Sequence, residues 1–177
     1  MNRKEDYCIP FTGLSNGKHN FEFDISNTFF EQLDYSEVQA GTLKVDVLLE
    51  KQTTMLVVTL TIKGFVSLVC DRCGENFNTP LDASQQLIYK LNNAEFVDED
   101  EIVYLSSSDS EVKLKHKIYE FIMLSVPAKR VHPDDEKGKS TCNKEALKLL
   151  KKYAVKEKEN KQQTDPRWDV LKNIINN

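Results

Sequence analysis

Alternation of apolar and polar residues in the first half of the chain predicts a sheet with one buried face. Residues 21–25 alternate phenylalanine or isoleucine with acidic residues, the period-two pattern of a strand. The same pattern returns over residues 41–50 and 56–62, with polar residues 51–53 between them. We therefore expect two long neighbouring strands joined by a turn, with a short helix over residues 28–33 before them.

Further strands are predicted up to residue 105. Lys63-Gly64 is typical of a break, and the Val- and Phe-rich residues 65–70 then predict a separate strand. Residues 77–91 are expected to be extended around Pro80, and residues 102–105 to form a last short strand. Successive strands of this kind favour an antiparallel meander.

Helical periodicity replaces strand alternation after the last strand. Ser108 and Glu111 have the spacing of a capping box, and apolar residues then recur at helical intervals until Pro127. A second helix is predicted over residues 143–156, with a modest apolar stripe and many lysines. Beyond a polar linker at 156–164, Pro166 suits the first turn of a closing mini-helix.

These elements predict an α+β protein with a β-rich core. The core is an antiparallel sheet or a partly open barrel closed by a helix from Val112 to Ser125, followed by a basic helical C-terminal arm. The predicted domains are a β-rich core (1–127), a basic loop and helical arm (128–161) and a C-terminal docking mini-helix (162–177).

Composition and charge narrow the class of protein. The 177 residues are 40% hydrophobic, enough for one core, and no apolar stretch reaches the length of a membrane span or a signal peptide. A cytoplasmic protein without membrane contact is therefore expected. Residues 1–127 hold 11 Lys and Arg against 20 Asp and Glu, whereas residues 128–161 hold 11 against 6. The body is acidic and the arm is basic.

The cysteines point to metal binding more than to disulfides. Cys70 and Cys73 form a C-x-x-C pair followed by Gly74, a spacing that lets two thiolates bind one Zn²⁺ ion. His132 and Cys142 are the suitable further ligands downstream, with Cys8 a remote candidate. The alternative is a pair of half-buried thiols in a turn without metal.

Catalytic interpretations of the same residues are weaker. A redox C-x-x-C pair lies at a helix N-terminus, whereas this pair follows a strand and precedes extended chain. His132 and the neighbouring Asp134-Asp135 lack a nucleophile, a second base or a phosphate-binding loop. We therefore expect a binding protein without enzymatic activity.

The arm and the tail are candidate contact regions. Lysines and arginines of the arm can neutralise phosphates along an RNA backbone, and the candidates are Lys129, Arg130, Lys144, Lys148, Lys151 and Lys152. The alternative is a solvated helix face. The single tryptophan, Trp168, with Leu171 and Ile175, is the candidate anchor for a protein partner, or else packs on the chain's own sheet.

Several short motifs in this order resemble the YceD family, the large ribosomal RNA subunit accumulation proteins. They are Cys70-Asp71-Arg72-Cys73, Ser125-Val126-Pro127, Val131-His132-Pro133 followed by Cys142, and Asp165-Pro166-Arg167-Trp168 with Leu171. The resemblance extends roughly from Gly41 to the end of the chain and is loose before it.

The resemblance implies a non-enzymatic factor that supports accumulation or assembly of large-subunit (23S) ribosomal RNA. Its partners would be that rRNA or a pre-ribosomal particle, and also a ribosomal protein. It implies no catalytic residues, and it makes Cys70, Cys73, His132 and Cys142 the candidate metal or structural cluster. The competing hypothesis is a zinc-stabilised protein–protein adaptor without direct RNA contact.

Overall fold

The computed structural model of the chain describes residues 7–91, 102–106 and 108–154. In chain order, the elements of this part are β1 (Cys8–Pro10), β2 (Gly17–Ile25), α1 (Asn27–Glu31), β3 (Ala40–Lys51), β4 (Met55–Val69), β5 (Asn76–Leu91), β6 (Ile102–Leu105), β7 (Glu111–Lys113), α2 (Lys115–Ser125) and α3 (Lys144–Tyr153). The α+β class is confirmed.

The main sheet has five strands in the order β2-β3-β4-β5-β6, and β1 pairs with β7 in a separate two-stranded sheet. Strands β2 to β5 form antiparallel pairs, with Val47 opposite Leu60 and Leu60 opposite Gln85. In the described residues the sheet is open, with β2 and β6 at its edges. Of the two predicted architectures the sheet is observed, and it does not close into a barrel.

The core lies on one face of this sheet. Alternate residues of β3 and β4 point inward, and each of them is at most 2% exposed: Leu43, Val45, Val47, Leu49, Leu56, Val58, Leu60 and Ile62. Phe29 and Phe30 of α1 and the apolar face of α2, which includes Ile118 and Ile122, join the same cluster. The alternation that predicted these strands therefore also identified their buried side.

The predicted break at Lys63-Gly64 is wrong, because β4 runs unbroken from Met55 to Val69. Gly64 lies inside the strand with φ +146°, and a Cβ atom there would overlap the carbonyl oxygen of Thr42 on β3. The glycine thus permits a close approach of two backbones within the sheet. A glycine is found both in turns and at such close approaches, so its presence alone did not show which of the two occurs here.

The purely antiparallel prediction is wrong for the last strand of the sheet. Strand β6 pairs with β5 in parallel, with Ile102 opposite Ile88 and Leu105 opposite Leu91. Parallel neighbours cannot be joined by a tight hairpin turn, so the meander expected from successive strands does not hold for this pair. The sheet is therefore mixed.

The predicted capping box is also wrong. Glu111 belongs to β7, which pairs with β1, and α2 begins only at Lys115. Its N-cap residue is Leu114, whose side chain makes no capping hydrogen bond. A pairing with residues 8–10, about a hundred positions earlier, outweighs the local helix signal. The predicted end of the helix before Pro127 is confirmed.

The chain divides into two compact units, Met1–Cys142 and Asn143–Asn177. The predicted domain boundaries after residues 127 and 161 stay predictions, and the linker and mini-helix lie outside the described residues. The second predicted helix is present as α3, with the Asn143 side chain accepting from the N–H groups of Glu145 and Ala146. In the described ranges, every helix is too short or too polar to cross a bilayer.

Candidate metal centre

The hairpin turn between β4 and β5 carries the C-x-x-C pair. The N–H of Cys70 donates to the carbonyl of Glu75 (2.9 Å), and the N–H of Gly74 donates back to the carbonyl of Cys70 (2.9 Å). Gly74 has φ +75°, a conformation that costs glycine little. The two longest strands of the sheet thus hold a tight turn containing both thiols.

The segment after α2 is fastened to this turn through its backbone. The N–H of Asp71 donates to the carbonyl of Arg130 (2.7 Å), and the N–H of Arg130 donates to Oδ2 of Asp71 (2.9 Å). The Arg130 guanidinium also contacts Oε2 of Glu37 at 3.3 Å. This reciprocal pair places His132, two residues on, beside the C-x-x-C turn.

A second turn returns the chain from His132 to Cys142. The Oδ1 atom of Asp135 accepts from the N–H groups of Lys137 (2.9 Å) and Lys139 (2.8 Å). The hydroxyl of Thr141 donates to the carbonyl of Pro133 (2.7 Å), which closes the excursion at its base. The Asp135 carboxylate therefore stabilises this turn.

These two turns bring the four predicted ligands together. The Sγ atoms of Cys70 and Cys142 are 3.7 Å apart, and Nδ1 of His132 lies 3.5 Å from Sγ of Cys73 and 3.8 Å from Sγ of Cys142. All four candidate ligand atoms lie within 4.8 Å of one another. Cys8, the remote candidate, lies on β1 and outside this cluster.

The separations fit a tetrahedral zinc ion. Zn–S bonds of about 2.3 Å and Zn–N bonds of about 2.0–2.1 Å at the tetrahedral angle place two sulfurs ~3.8 Å apart and a sulfur and a nitrogen ~3.5 Å apart. The Cys70–Cys142 distance of 3.7 Å and the His132–Cys73 distance of 3.5 Å match these values, and the His132–Cys142 distance of 3.8 Å is about 0.3 Å longer than the sulfur–nitrogen value. Three cysteines and one histidine form a complete set of four ligands, so the cluster could hold a metal such as zinc.

The surroundings favour the thiolate form that binds metal. Burial raises the pKa of the Cys70 thiol, but hydrogen bonds from the N–H of Arg72 and from the ring and N–H of His132 outweigh it, and the pKa falls to about 5. Cys70 and Cys142 are buried, and Cys73 and His132 are half-buried. A metal ion here would be shielded from most of the solvent.

The His132 ring is held in place by Phe77 at the start of β5. The two ring centroids are 4.9 Å apart and the planes are tilted by 32°. This contact fixes the imidazole with Nδ1 toward the sulfurs. The pair Cys70/Cys73 leads into β5 and not into a helix, so the low pKa of Cys70 comes from its hydrogen bonds and not from a helix N-terminus.

The candidate phosphate contacts fall in both units. Lys129 and Arg130 lie in the segment after α2. Four more lysines, all exposed, lie along α3: Lys144, Lys148, Lys151 and Lys152. Each group presents positive charge to solvent, and an RNA contact at either group stays a prediction. The candidate partner anchors Trp168, Leu171 and Ile175 lie outside the described residues.

Two residues important to the site were missed by the sequence reasoning. Asp71 ties the loop to the turn, and Phe77 orients His132. An aspartate carboxylate can accept from a backbone N–H, but the N–H that donates to Asp71 belongs to Arg130, 59 residues later. Local spacing carried no signal for either contact.

Comparison with known proteins identifies a family for the chain. Residues 58–175 match the family described as Large ribosomal RNA subunit accumulation protein YceD. The match covers most of the chain and includes all four residues of the cluster. Neither a curated protein nor a solved structure gives a significant match. The chain belongs to the YceD family of large ribosomal RNA subunit accumulation proteins.

Proposed function

We propose that the protein is a non-enzymatic cytoplasmic factor that supports accumulation or assembly of large-subunit (23S) ribosomal RNA. The observation that carries the proposal is the family match over residues 58–175, which spans the cysteine cluster and α3. A closed four-ligand set is typical of structural zinc sites, because catalytic sites keep one position open.

In this proposal zinc is structural. Bound to Cys70, Cys73, His132 and Cys142, it would supply folding energy by fastening the segment after α2 to the β4–β5 turn. The same segment carries Lys129 and Arg130, so the cluster would fix the position of two candidate phosphate contacts.

Contact with RNA is proposed to be mainly electrostatic. The exposed lysines of α3 and the cations after α2 can neutralise backbone phosphates without reading sequence. Such binding weakens steeply as salt concentration rises, because each phosphate contact releases counterions.

Depletion of the protein in its own cell tests the function. We expect mature large-subunit rRNA to fall relative to small-subunit rRNA, with recovery when the wild-type chain is restored. The variant with Cys70→Ser and Cys73→Ser is expected not to restore it. Cys8→Ser is the matched control, because Cys8 lies outside the cluster, and it should restore accumulation fully. An unchanged rRNA ratio after depletion would refute the proposal.

One observation favours the competing adaptor hypothesis. Leu149, Leu150 and Tyr153 of α3 are 56%, 51% and 73% exposed, which leaves large apolar groups available to a protein partner. A salt titration separates the two hypotheses. Direct RNA contact predicts affinity that falls steeply with salt, whereas an adaptor shows little affinity for bare RNA at any salt concentration.

A further inference from the structure

Strand β2 (Gly17–Ile25) forms one edge of the main sheet. It pairs with β3 on one side, and no strand of the described residues pairs with its other side. In an antiparallel strand, every second residue directs its N–H and C=O away from the neighbouring strand. Within the described ranges, the backbone groups of β2 have no hydrogen bonds other than those to β3. The outer edge of β2 can therefore accept a further strand.

Most of the features that block a sheet edge in natural proteins are missing from β2. Edge strands are commonly short, or are interrupted by a bulge or a proline, or carry charges that point inward. Strand β2 has nine residues in continuous register with β3, without proline, and its one lysine, Lys18, lies near its start. The opposite edge strand, β6, has only four residues. Of the two edges, β2 is the better suited to pairing.

The side chains on the outer face of β2 carry opposite charges at the two ends of the strand. Lys18, Asn20, Glu22 and Asp24 are all exposed on this face. Glu22 already contacts Lys44 at 3.1 Å, whereas Lys18 and Asp24 form no ion pair in the described part of the chain. A strand with a cation at one end and an anion at the other is complementary to an antiparallel copy of itself.

We propose that β2 pairs antiparallel with β2 of a second copy of the chain, about a two-fold axis at Phe21, so that the two main sheets join edge to edge. In this register Lys18 lies opposite the partner's Asp24, and Asn20 lies opposite the partner's Glu22. Two-fold symmetry makes each contact occur twice. Half-buried Phe21 lies opposite the partner's Phe21. Opposite charges and aromatic pairs across two strands both stabilise the pairing.

Neighbouring registers fit less well. Moving the axis one residue toward the C-terminus places Glu22 opposite the partner's Glu22, and like charges directly opposite each other are destabilising. Moving it one residue toward the N-terminus places Asp24 opposite the partner's Asn16, which lies outside the strand. The axis at Phe21 pairs all nine residues and opposes no like charges. This self-complementarity favours a second copy over an unrelated strand, because an unrelated partner does not require it.

Sedimentation equilibrium of the full chain tests for the dimer. Backbone pairing along one strand buries a small interface, so we expect a dimer that dissociates on dilution. The mass should rise from 20.4 kDa toward twice that value as the concentration increases from about 10 µM to 1 mM. Backbone-amide NMR over the same range should show concentration-dependent shifts in residues 17–25. A monomer mass at every concentration, or shifts in α3 and none in β2, would overturn the proposal.

Charge reversal tests the register. Lys18→Glu places a like charge opposite the partner's Asp24 at both contacts, and we expect it to raise the dissociation constant about tenfold. Asp24→Lys should have the same effect. A mixture of the two single variants should associate about as tightly as the wild-type chain, because each new charge then faces an opposite charge across the axis. Amide dispersion shows that each variant is folded.

Lys63→Glu is the matched control, since it makes the same charge change at an exposed position of β4 inside the sheet. It should leave the dissociation constant unchanged. An equal loss with Lys63→Glu would assign the effect to net charge and overturn the proposal. So would a mixture of the two β2 variants that associates no more tightly than either variant alone. The dimer is independent of the proposed function, so an unchanged rRNA ratio after depletion refutes that function and leaves the dimer standing.

Discussion

Tyr89 on β5 is a buried tyrosine whose hydroxyl lacks a hydrogen-bond partner within the described ranges. Burial raises its pKa from 10.0 to about 12, with a further contribution from the negative charge of Glu120. We expect Tyr89→Phe to raise the free energy of unfolding by about 1–2 kcal/mol, because it removes a desolvated hydroxyl and keeps the ring. Urea denaturation measures the change, and Tyr153→Phe, at a residue 73% exposed, is the control.

The same residue predicts a loss of stability at high pH. The unfolded phenol loses its proton near pH 10, whereas the folded phenol keeps it until about pH 12. Between these values the unfolded state binds fewer protons, so stability falls as pH rises through this window. Tyr89→Phe should lack this component of the decline. Identical pH profiles for the two proteins above pH 10 would contradict the assignment.

Double replacement of Cys70 and Cys73 by serine tests the metal centre at the level of single ligands. Because only the folded state presents all four ligands, a metal ion at about 1,000 times its Kd adds about 4 kcal/mol to the free energy of unfolding. We expect the double variant to lose zinc in elemental analysis and to melt at a lower temperature. Cys8→Ser should change neither. If the wild-type protein contains no zinc and melts at the same temperature as the double variant, Cys70 and Cys73 are two thiols in a turn and the metal centre is refuted.

At the scale of elements, the N-terminal strand β1 contributes more to the core than its length suggests. Ile9 is 1% exposed and lies opposite Val112 of β7, which is fully buried. We expect Ile9→Ala to lower the free energy of unfolding by about 2–5 kcal/mol. Ile88→Ala is the matched control, because Ile88 is half-buried on the other face of the sheet, and it should cost less. Equal costs in urea denaturation would place β1 outside the cooperative core.

The sequence predicted those elements whose residue pattern lies within the element itself. Strands β3 and β4 and the end of α2 follow from alternation, helical periodicity and Pro127. The β1–β7 pair joins strands about a hundred residues apart. The alternation of β6 is the same for parallel and antiparallel pairing, so it did not reveal the parallel direction of the β5–β6 pair. Gly64 lies inside a strand, although Lys63-Gly64 is typical of a break. In the candidate metal centre, residue type and the C-x-x-C spacing identified the four residues that the structure brings together. The Asp71–Arg130 contact arises only from tertiary packing.

At the scale of the whole molecule, contacts with RNA and with protein are predicted to be separable. Replacing Lys148, Lys151 and Lys152 of α3 by Glu reverses three exposed charges. We expect weaker RNA association and a flatter salt dependence without loss of folding, because removing one phosphate contact lowers the salt slope by about one unit. Three exposed lysines of the strands, Lys18, Lys63 and Lys113, serve as a charge-matched control.

Trp168→Ala should have the opposite pattern. It removes the candidate apolar anchor and leaves the charge unchanged, so a protein partner should dissociate while binding to bare RNA persists. Co-sedimentation with ribosomal particles and binding to isolated rRNA measure the two effects separately. If the charge reversals leave particle association intact and Trp168→Ala abolishes it, the adaptor hypothesis replaces the RNA-binding one.

A metal ion held by the cysteine cluster would also set an order of events during synthesis. Its ligands come from a hairpin turn at Cys70 and from Cys142, 72 residues later. A nascent chain can form β2 to β5 and the C-x-x-C turn while the other two ligands have not yet left the ribosome. Capture of the ion would then wait for β6, α2 and the following loop. Because the entropy of closing a loop grows only logarithmically with its length, about 0.6 kcal/mol per doubling, such a late cross-link would tolerate insertions between Cys73 and His132.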